Sequence, residues 1–285
     1  MVNGQTRAEI AASLLLEIAR CPIIDAWYAA DSAERTTNPC TEIITHQYEK
    51  FGAVERATYQ APEPWRGDLC APLIFLSSNP SIVPGEGNGD WDAAALASFF
   101  TDSFDPDRGN IVDGAYGRKP DGSRGRYVAF WGGMVRLARE LMGPSVTPGR
   151  DYALTEVVHC KSQREIGVNG PRGAIRECSE RYLRRVVAVS DARVIVVLGA
   201  AARWAMSWTF SDLGMPPDVT PQRGSVWGPI VVAGRERCVV FMPHPNAHMK
   251  RTFAELVQED DIKKLQACLA DTVSTVARSP GEDGK

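Results

Sequence analysis

Short apolar runs that end abruptly in polar residues constrain the fold of this 285-residue chain more than any other feature. The clearest are APLIFLSS at 71–78, ARVIVVLG at 192–199 and ERCVVFMP at 236–243. Continuous runs of this length are typical of strands that are buried on both faces, as in a parallel sheet covered by helices. We predict strands at these positions, and two more at 153–160 (ALTEVVHC) and 229–234 (PIVVAG).

Segments with the spacing of amphipathic helices separate the predicted strands. We predict helices over residues 7–20, 41–51, 92–100, 128–142, 171–190, 200–208 and 253–277. Strands that alternate with helices predict an α/β fold, in which helices flank both faces of a central, mostly parallel sheet as an α/β/α sandwich.

We expect a single domain over residues 1–278, in which residues 1–70 form a helical extension, and a disordered tail at 279–285. The stretch 79–126 is predicted to be rich in loops, and its basic segment GRKPDGSRGR at 117–126 is predicted to be exposed.

Composition limits the class of protein. The net charge is −3, so nucleic-acid binding would need a local basic face. No apolar run approaches the roughly 18 residues that span a bilayer, and the N-terminal apolar residues are spaced as in an amphipathic helix rather than a signal peptide. We therefore expect a cytoplasmic monomer with no membrane partner. Neither GxGxxG nor a P-loop occurs, so no nucleotide cofactor is indicated.

Polar clusters follow three of the predicted strands. They are SSNPS at 77–81, the stretch from Glu156 to Lys161 that leads into Ser162, and HPNAH at 244–248. Ligands of parallel α/β sheets bind beyond the carboxyl ends of the strands, so the clusters predict a site at that edge. Taken singly, Asn-Pro after a strand also fits a turn, and His-Pro also fits an ordinary loop.

In this order, LIFLSSNPS, TEVVHCKSQRE, ARVIVVLGAAA and VVFMPHPN resemble the motifs of the uracil-DNA glycosylase superfamily, and most of all its thermostable, iron–sulfur-containing type. The resemblance covers residues 71–252. It implies a hydrolase, a monofunctional glycosylase that flips uracil out of DNA and hydrolyses its N-glycosidic bond, leaving an abasic site for base excision repair. The implied partner is uracil-containing DNA, and the chemistry needs no catalytic metal.

The resemblance assigns roles to residues of the first and last motifs. Asn79 takes the position of the residue that orients the attacking water, between Ser78 and Pro80 of a substrate-binding motif. His244 takes the position of the catalytic histidine, which donates a hydrogen bond to O2 of the leaving uracil. Asn246 stands where the family has a serine, so the usual phosphate-contacting hydroxyl is absent.

Phe130 and Glu156 take positions that contact the base. Phe130 resembles the family's aromatic residue that stacks on the flipped base, and it also fits a core aromatic at a helix start. Glu156 stands where an asparagine donates to uracil O4 and accepts from N3–H. It suits uracil if burial keeps it protonated, or if a donor such as Gln163 or Asn169 covers O4. A purely structural role for Glu156 stays open.

The resemblance also implies a DNA-binding surface. His248 or Met249 would fill the gap that the flipped base leaves, and Lys250, Arg251 and Arg124 would contact phosphates. The basic segment around Arg124 also fits an ordinary solvated loop.

Seven cysteines in a cytoplasmic chain are more typical of free thiols or metal ligands than of disulfides. Cys160 and Cys178, with seventeen residues between them, match a pair of the family's iron–sulfur ligands, and Cys21 matches a third. A [4Fe–4S] cluster takes four thiolates. Cys40 is the candidate for the fourth, because Cys70 begins a strand and would lie at the opposite edge of the sheet. The alternative is that the cluster is lost and the thiols are free.

Two other functions also fit the sequence. The substitutions at Glu156 and Asn246 favour a non-catalytic DNA- or uracil-binding module on the same fold. The net negative charge favours an enzyme that processes small-molecule nucleosides.

Overall fold

The computed structural model describes residues 6–83, 90–168, 173–214, 222–247 and 252–276. Its strands are β1 (Leu73–Ser77), β2 (Ile111–Val112), β3 (Tyr116–Arg118), β4 (Arg124–Tyr127), β5 (Tyr152–Glu156), β6 (Val194–Leu198), β7 (Val226–Val232) and β8 (Arg235–Met242). Its α-helices are α1 (Arg7–Ala19), α2 (Pro22–Ala29), α3 (Ser32–Arg35), α4 (Thr41–Phe51), α5 (Ala93–Thr101), α6 (Ala129–Met142), α7 (Ala174–Cys178), α8 (Arg184–Val189), α9 (Gly199–Thr209), α10 (Phe253–Leu256) and α11 (Glu259–Val276).

Five strands form the central sheet in the order β5-β1-β6-β8-β7. The first four run parallel, and β7 pairs antiparallel with β8 at the edge. Helices pack around this mostly parallel sheet, which confirms the predicted α/β class. None of the described helices is both long enough and apolar enough to cross a membrane.

Alternate residues of the central strands face opposite helical layers. Ile74 and Leu76 of β1 belong to the apolar core that includes buried residues of α1, α4 and α9. Leu73 and Phe75 belong to the core that includes buried residues of α6 and α11. Every residue of β1, β5 and β6 is buried, which explains why β6 is an unbroken apolar run and β1 is apolar up to Ser77.

Strand β5 is shorter than the predicted strand at 153–160. It ends at Glu156, the register partner of Ser77 at the end of β1. Beyond this pair the N–H groups of Val157 and Val158 still donate to the carbonyls of Ser77 and Ser78, although the regular strand has ended. Residues 157–160 are all buried.

Two predicted helices are divided. The helix predicted over 171–190 begins at Ala174 and passes through a π-helical turn at Ser179–Leu183 before α8; residues 171 and 172 lie outside the described part. The helix predicted over 253–277 is split into α10 and α11, because the chain is extended at Val257.

The stretch predicted to be loop-rich contains a second, antiparallel sheet in the order β2-β3-β4. Its basic segment is a hairpin, in which Gly122 adopts a φ of 82° in the turn between β3 and β4. The prediction that the whole segment is exposed is wrong for Arg118. That side chain is half-buried and donates hydrogen bonds to the carbonyls of Gly109 and Pro106.

Candidate functional site

A cavity of about 440 Å³ lies beyond the carboxyl ends of β1, β5 and β8. Six of the residues singled out from the sequence line it, namely Asn79, Pro80, Phe130, Glu156, His244 and Asn246. Ser78 is buried and does not line the cavity, whereas its neighbour Ser77 does. The structure thus brings the first and last motifs to one site, as the parallel sheet predicts.

One of the predicted DNA contacts, Arg124, lies outside the lining of this cavity. Arg124 is on β4, where it is exposed and forms an ion pair with Asp113. The other four predicted contacts fall outside the described residues, namely His248, Met249, Lys250 and Arg251.

A larger cavity, of about 540 Å³, lies between α1, α5 and the segment that leads into β1. Its lining is mainly apolar, including Ala11, Leu15, Trp65 and Ala97. We place the functional site in the smaller cavity because titratable and hydrogen-bonding side chains from distant parts of the chain converge there, and size alone does not identify a site.

His244 follows β8 and enters the cavity as a neutral hydrogen-bond donor. The backbone N–H of Asn246 donates to its Nδ1 at 3.2 Å, so the ring proton is on Nε2. Burial lowers the pKa of His244, which also favours the neutral ring. The ring stacks on Phe130, with centroids 5.1 Å apart and an interplanar angle of 16°.

Two glycines allow the backbone to approach His244 closely. A side chain at Gly133 of α6 would place its Cβ 2.6 Å from Cβ of Pro245, so the helix packs directly on the His-Pro turn. Gly199 has a φ of 89° at the junction of β6 and α9, beside the His244 side chain. Gly199 thus makes the turn from β6 into α9.

Hydrogen bonds from its amide nitrogen hold the side chain of Asn79 in place. Its Nδ2 donates to Oγ of Ser162 at 3.0 Å and to the carbonyl of Pro80 at 3.0 Å. These bonds fix the orientation of the amide and direct its donor away from the cavity, so Oδ1 is the group that can accept a hydrogen bond from a water.

Glu156 ends β5 at the cavity wall, with only 3% of its surface exposed. Burial raises the pKa of Glu156 well above its usual range, and the nearby Glu63 carboxylate raises it further, against the weaker effects of Arg66 and Lys161. Burial therefore favours the neutral acid form of Glu156.

Glu63, Arg66 and Lys161 form a buried charged cluster against the cavity. Glu63 accepts hydrogen bonds from Arg66 at 2.5 and 2.7 Å, and its carboxylate lies 2.9 Å from Nζ of Lys161. Although burial opposes ionisation, the two cations lower the pKa of Glu63 to about 2. The sequence analysis missed Glu63 and Arg66. The available signal was two charged residues inside APEPWR, a segment rich in proline and tryptophan.

The four cysteines singled out from the sequence lie together on the other side of residues 156–161. Cys21 and Cys40 precede α2 and α4, Cys160 follows β5, and Cys178 ends α7. All four are buried and none is in a disulfide. We call them the cysteine cluster. Cys70, the rejected candidate, is exposed and lies before β1.

The thiols of the cysteine cluster are close enough to affect one another. The Cys40 thiol donates to Cys178, which raises the pKa of Cys40 well above its usual range and lowers that of Cys178. Burial raises the pKa of Cys21 and of Cys160, and the Cys178 sulfur adds to both effects. Buried, neutral thiols in contact become thiolates when a cation or metal compensates the charge.

The cysteine cluster matches a [4Fe–4S] group in donor type and number, since such a cluster takes one thiolate on each iron. Within the described ranges, no three His, Cys, Asp or Glu side chains converge tightly enough to hold a single metal ion.

Comparison with known proteins yields no matching family model and no matching curated protein.

Proposed function

We propose that this chain is a monofunctional uracil-DNA glycosylase, a hydrolase that acts on N-glycosyl bonds in base excision repair. The observation that supports the proposal most is the convergence of Asn79 and His244 in one cavity, each held in the orientation that the reaction needs. Sequence resemblance suggests the same reaction, but the convergence of the two side chains is a property of the fold.

Base recognition would begin with extrusion of the nucleotide from the duplex, at a cost of a few kcal/mol. The cavity offers the flipped base an aromatic ring at Phe130 and a neutral acid at Glu156. A protonated carboxyl donates from one oxygen and accepts at the other, so it can donate to uracil O4 and accept from N3–H as an amide does. Gln163 is exposed and does not line the cavity, so it gives no support for cover of O4 by that donor. Asn169, the other donor considered, lies outside the described residues.

Bond cleavage leaves an oxocarbenium-like sugar and a uracil anion. Nε2–H of His244 would donate to O2 and stabilise the anion without transferring charge to a buried imidazole. A water held by Oδ1 of Asn79 would add to C1′ as the bond to the base breaks, and its proton would pass to solvent or to the departing base. A cationic transition state needs a positioned water more than a strong base, so an amide suffices.

The cysteine cluster would hold a [4Fe–4S] group, which would cross-link α2, α4, α7 and the segment after β5. Its contribution would be structural, because all four cysteines lie outside the lining of the cavity. No step of base release involves it.

A second candidate is an enzyme that hydrolyses free nucleosides. It is favoured by the state of the basic hairpin, where Arg118 is bonded to backbone carbonyls and Arg124 to Asp113, so neither is available to a phosphate without rearrangement. Such an enzyme would cleave deoxyuridine in preference to an oligonucleotide.

The test is uracil release from end-labelled single- and double-stranded oligonucleotides, followed by alkaline cleavage, with deoxyuridine assayed in parallel. We expect release from an oligonucleotide and losses of about 100- to 1000-fold in kcat/KM for His244→Ala and about 100-fold for Asn79→Ala. His46→Ala, which removes a histidine of α4 outside the cavity, serves as control. Absence of release from every oligonucleotide would overturn the proposal.

A further inference from the structure

The charged cluster pairs two cations with one carboxylate. Both cations contact the same carboxylate, and the side chains of Glu63, Arg66 and Lys161 are 6%, 5% and 0% exposed. Arg66 has further hydrogen bonds to Ser103 and Asn110, which fix the guanidinium. Because buried charges are costly unless paired, this geometry keeps both cations directed at Glu63.

Glu156 stands next to this cluster without joining it. It is 3% exposed and lines the cavity. In the part of the chain that the structure describes, its carboxyl makes no hydrogen bond or ion pair of its own. A buried polar group with no partner is strongly disfavoured unless a ligand satisfies it, so the carboxyl is set to bind one.

Four other charged or titratable groups line this cavity with Glu156, namely Glu63, Arg66, Arg118 and His244, and Lys161 lies behind them, fully buried against Glu63. Arg118 is bonded to backbone carbonyls, and His244 is neutral. The charge state of Glu156 therefore depends on the balance among the three members of the charged cluster.

We propose that Glu63 is a positioning residue for base recognition, which holds Arg66 and Lys161 and thereby leaves Glu156 as a neutral hydrogen-bond donor. The proposal rests on the function proposed above. Without the Glu63 carboxylate, two buried cations would lie beside Glu156 and would favour its ionised form. An ionised carboxylate only accepts hydrogen bonds, so it would repel O4 of uracil.

The test is the pH profile of kcat/KM for uracil release. Activity needs protonated Glu156, so it is present below the pKa of Glu156 and falls about tenfold per pH unit above it. Glu63→Gln is expected to move this alkaline limb to lower pH by more than one unit, with at least a tenfold loss at about pH 8. Lys161→Met removes a cation and is expected to move the limb the other way. An unchanged limb in Glu63→Gln, or a shift to lower pH in Lys161→Met, would overturn the proposal.

Two controls separate this role from general damage. Glu156→Asn is expected to lose the alkaline limb, and adding Glu63→Gln to it should then cause less than a threefold further change. Glu49→Gln, which neutralises an exposed carboxylate on α4, is expected to leave the profile as it is.

A spectroscopic measurement keeps the test independent of catalysis and of whether Glu63→Gln folds. The infrared difference between the wild-type protein and Glu156→Gln at about pH 8 should contain the carbonyl band of a protonated carboxyl. If that band is present but no uracil is released, the proposed function fails, and the neutral state of Glu156 on which the role of Glu63 depends stands. If the band is absent from the wild-type protein, the role of Glu63 fails whatever the activity.

Discussion

Two buried polar clusters lie on opposite sides of residues 156–161, and they differ in how their charge is satisfied. The charged cluster pairs Glu63 with two cations of the chain itself. The cysteine cluster brings together four thiols, and the Cys40 thiol donates a weak hydrogen bond to Cys178. Both use the same short segment, since Lys161 belongs to one and the adjacent Cys160 to the other.

The difference indicates what each cluster is for. The charged cluster is complete without a ligand, so its effect is on its neighbour Glu156, which it leaves uncharged and facing the cavity. The cysteine cluster becomes charged only when positive charge arrives from outside, which is the property of a metal-binding site. On the proposals made above, one cluster tunes a site, whereas the other would form one.

The largest expected effect comes from breaking the charged cluster. Lys161→Met leaves Glu63 with one cation in place of two, and loss of one partner of a buried ion pair costs about 3–5 kcal/mol of unfolding free energy. Urea unfolding of the variant and the wild-type protein measures this loss. Lys263→Met is the matched control, because Lys263 forms an exposed pair with Glu259 on α11, worth less than about 0.5 kcal/mol. Equal losses of unfolding free energy in the two variants would show that the buried cluster stabilises the fold no more than an exposed ion pair does.

The second-largest expected effect is a loss of unfolding free energy in acid, as the charged cluster loses its pairing. The pKa of Glu63 is about 2 in the folded protein against 4.5 for a free glutamate, so its contribution is present above pH 4.5 and is lost as pH falls toward 2. The loss of unfolding free energy should approach about 3 kcal/mol. Unfolding free energies measured across this range should fall less steeply for Glu63→Gln than for the wild-type protein. Parallel curves would contradict the pairing of Glu63 with both cations.

Cys178→Ser tests whether the cysteine cluster holds iron or consists of free thiols. If the thiols are free, the variant buries a hydroxyl in place of a thiol and costs about 1–3 kcal/mol with no other change. If the cluster is present, the wild-type protein purified without oxygen should carry about four iron atoms per chain and absorb visible light, and the variant should lose both. Cys70→Ser, at an exposed cysteine, should keep its iron. A wild-type protein without iron would assign the cysteine cluster to free thiols.

The two clusters also differ in how well they could be predicted from the sequence. Strands β1, β6 and β8 were predictable because burial on both faces leaves an unbroken apolar run. Asn79 and His244 were predictable because parallel strands carry their carboxyl ends to one edge, and Cys40 was selected because Cys70 would lie at the other edge.

The charged cluster was not predictable in the same way. Glu63 is close to Arg66 in the chain but far from Lys161 and Glu156, and it reaches them through a loop that no periodicity describes. The hairpin of β3 and β4 was missed for a related reason. Its strands are short, rich in arginine and glycine, and lack the apolar alternation that signals a sheet.

The smallest effect concerns a charged pair on the surface. Arg124 is paired with Asp113 and lies over the ring of Tyr116 at 4.5 Å, and both charged side chains are more than half exposed. If Arg124 contacts a phosphate, Arg124→Ala should weaken binding of an oligonucleotide about two- to fivefold and lower the salt slope by less than one unit. Asp113→Ala should then strengthen binding, because it releases Arg124 and removes a negative charge near DNA. Fluorescence anisotropy at several salt concentrations measures both. Weaker binding in both variants would mean that the hairpin needs the ion pair for its shape, and that Arg124 acts through the fold rather than through a phosphate.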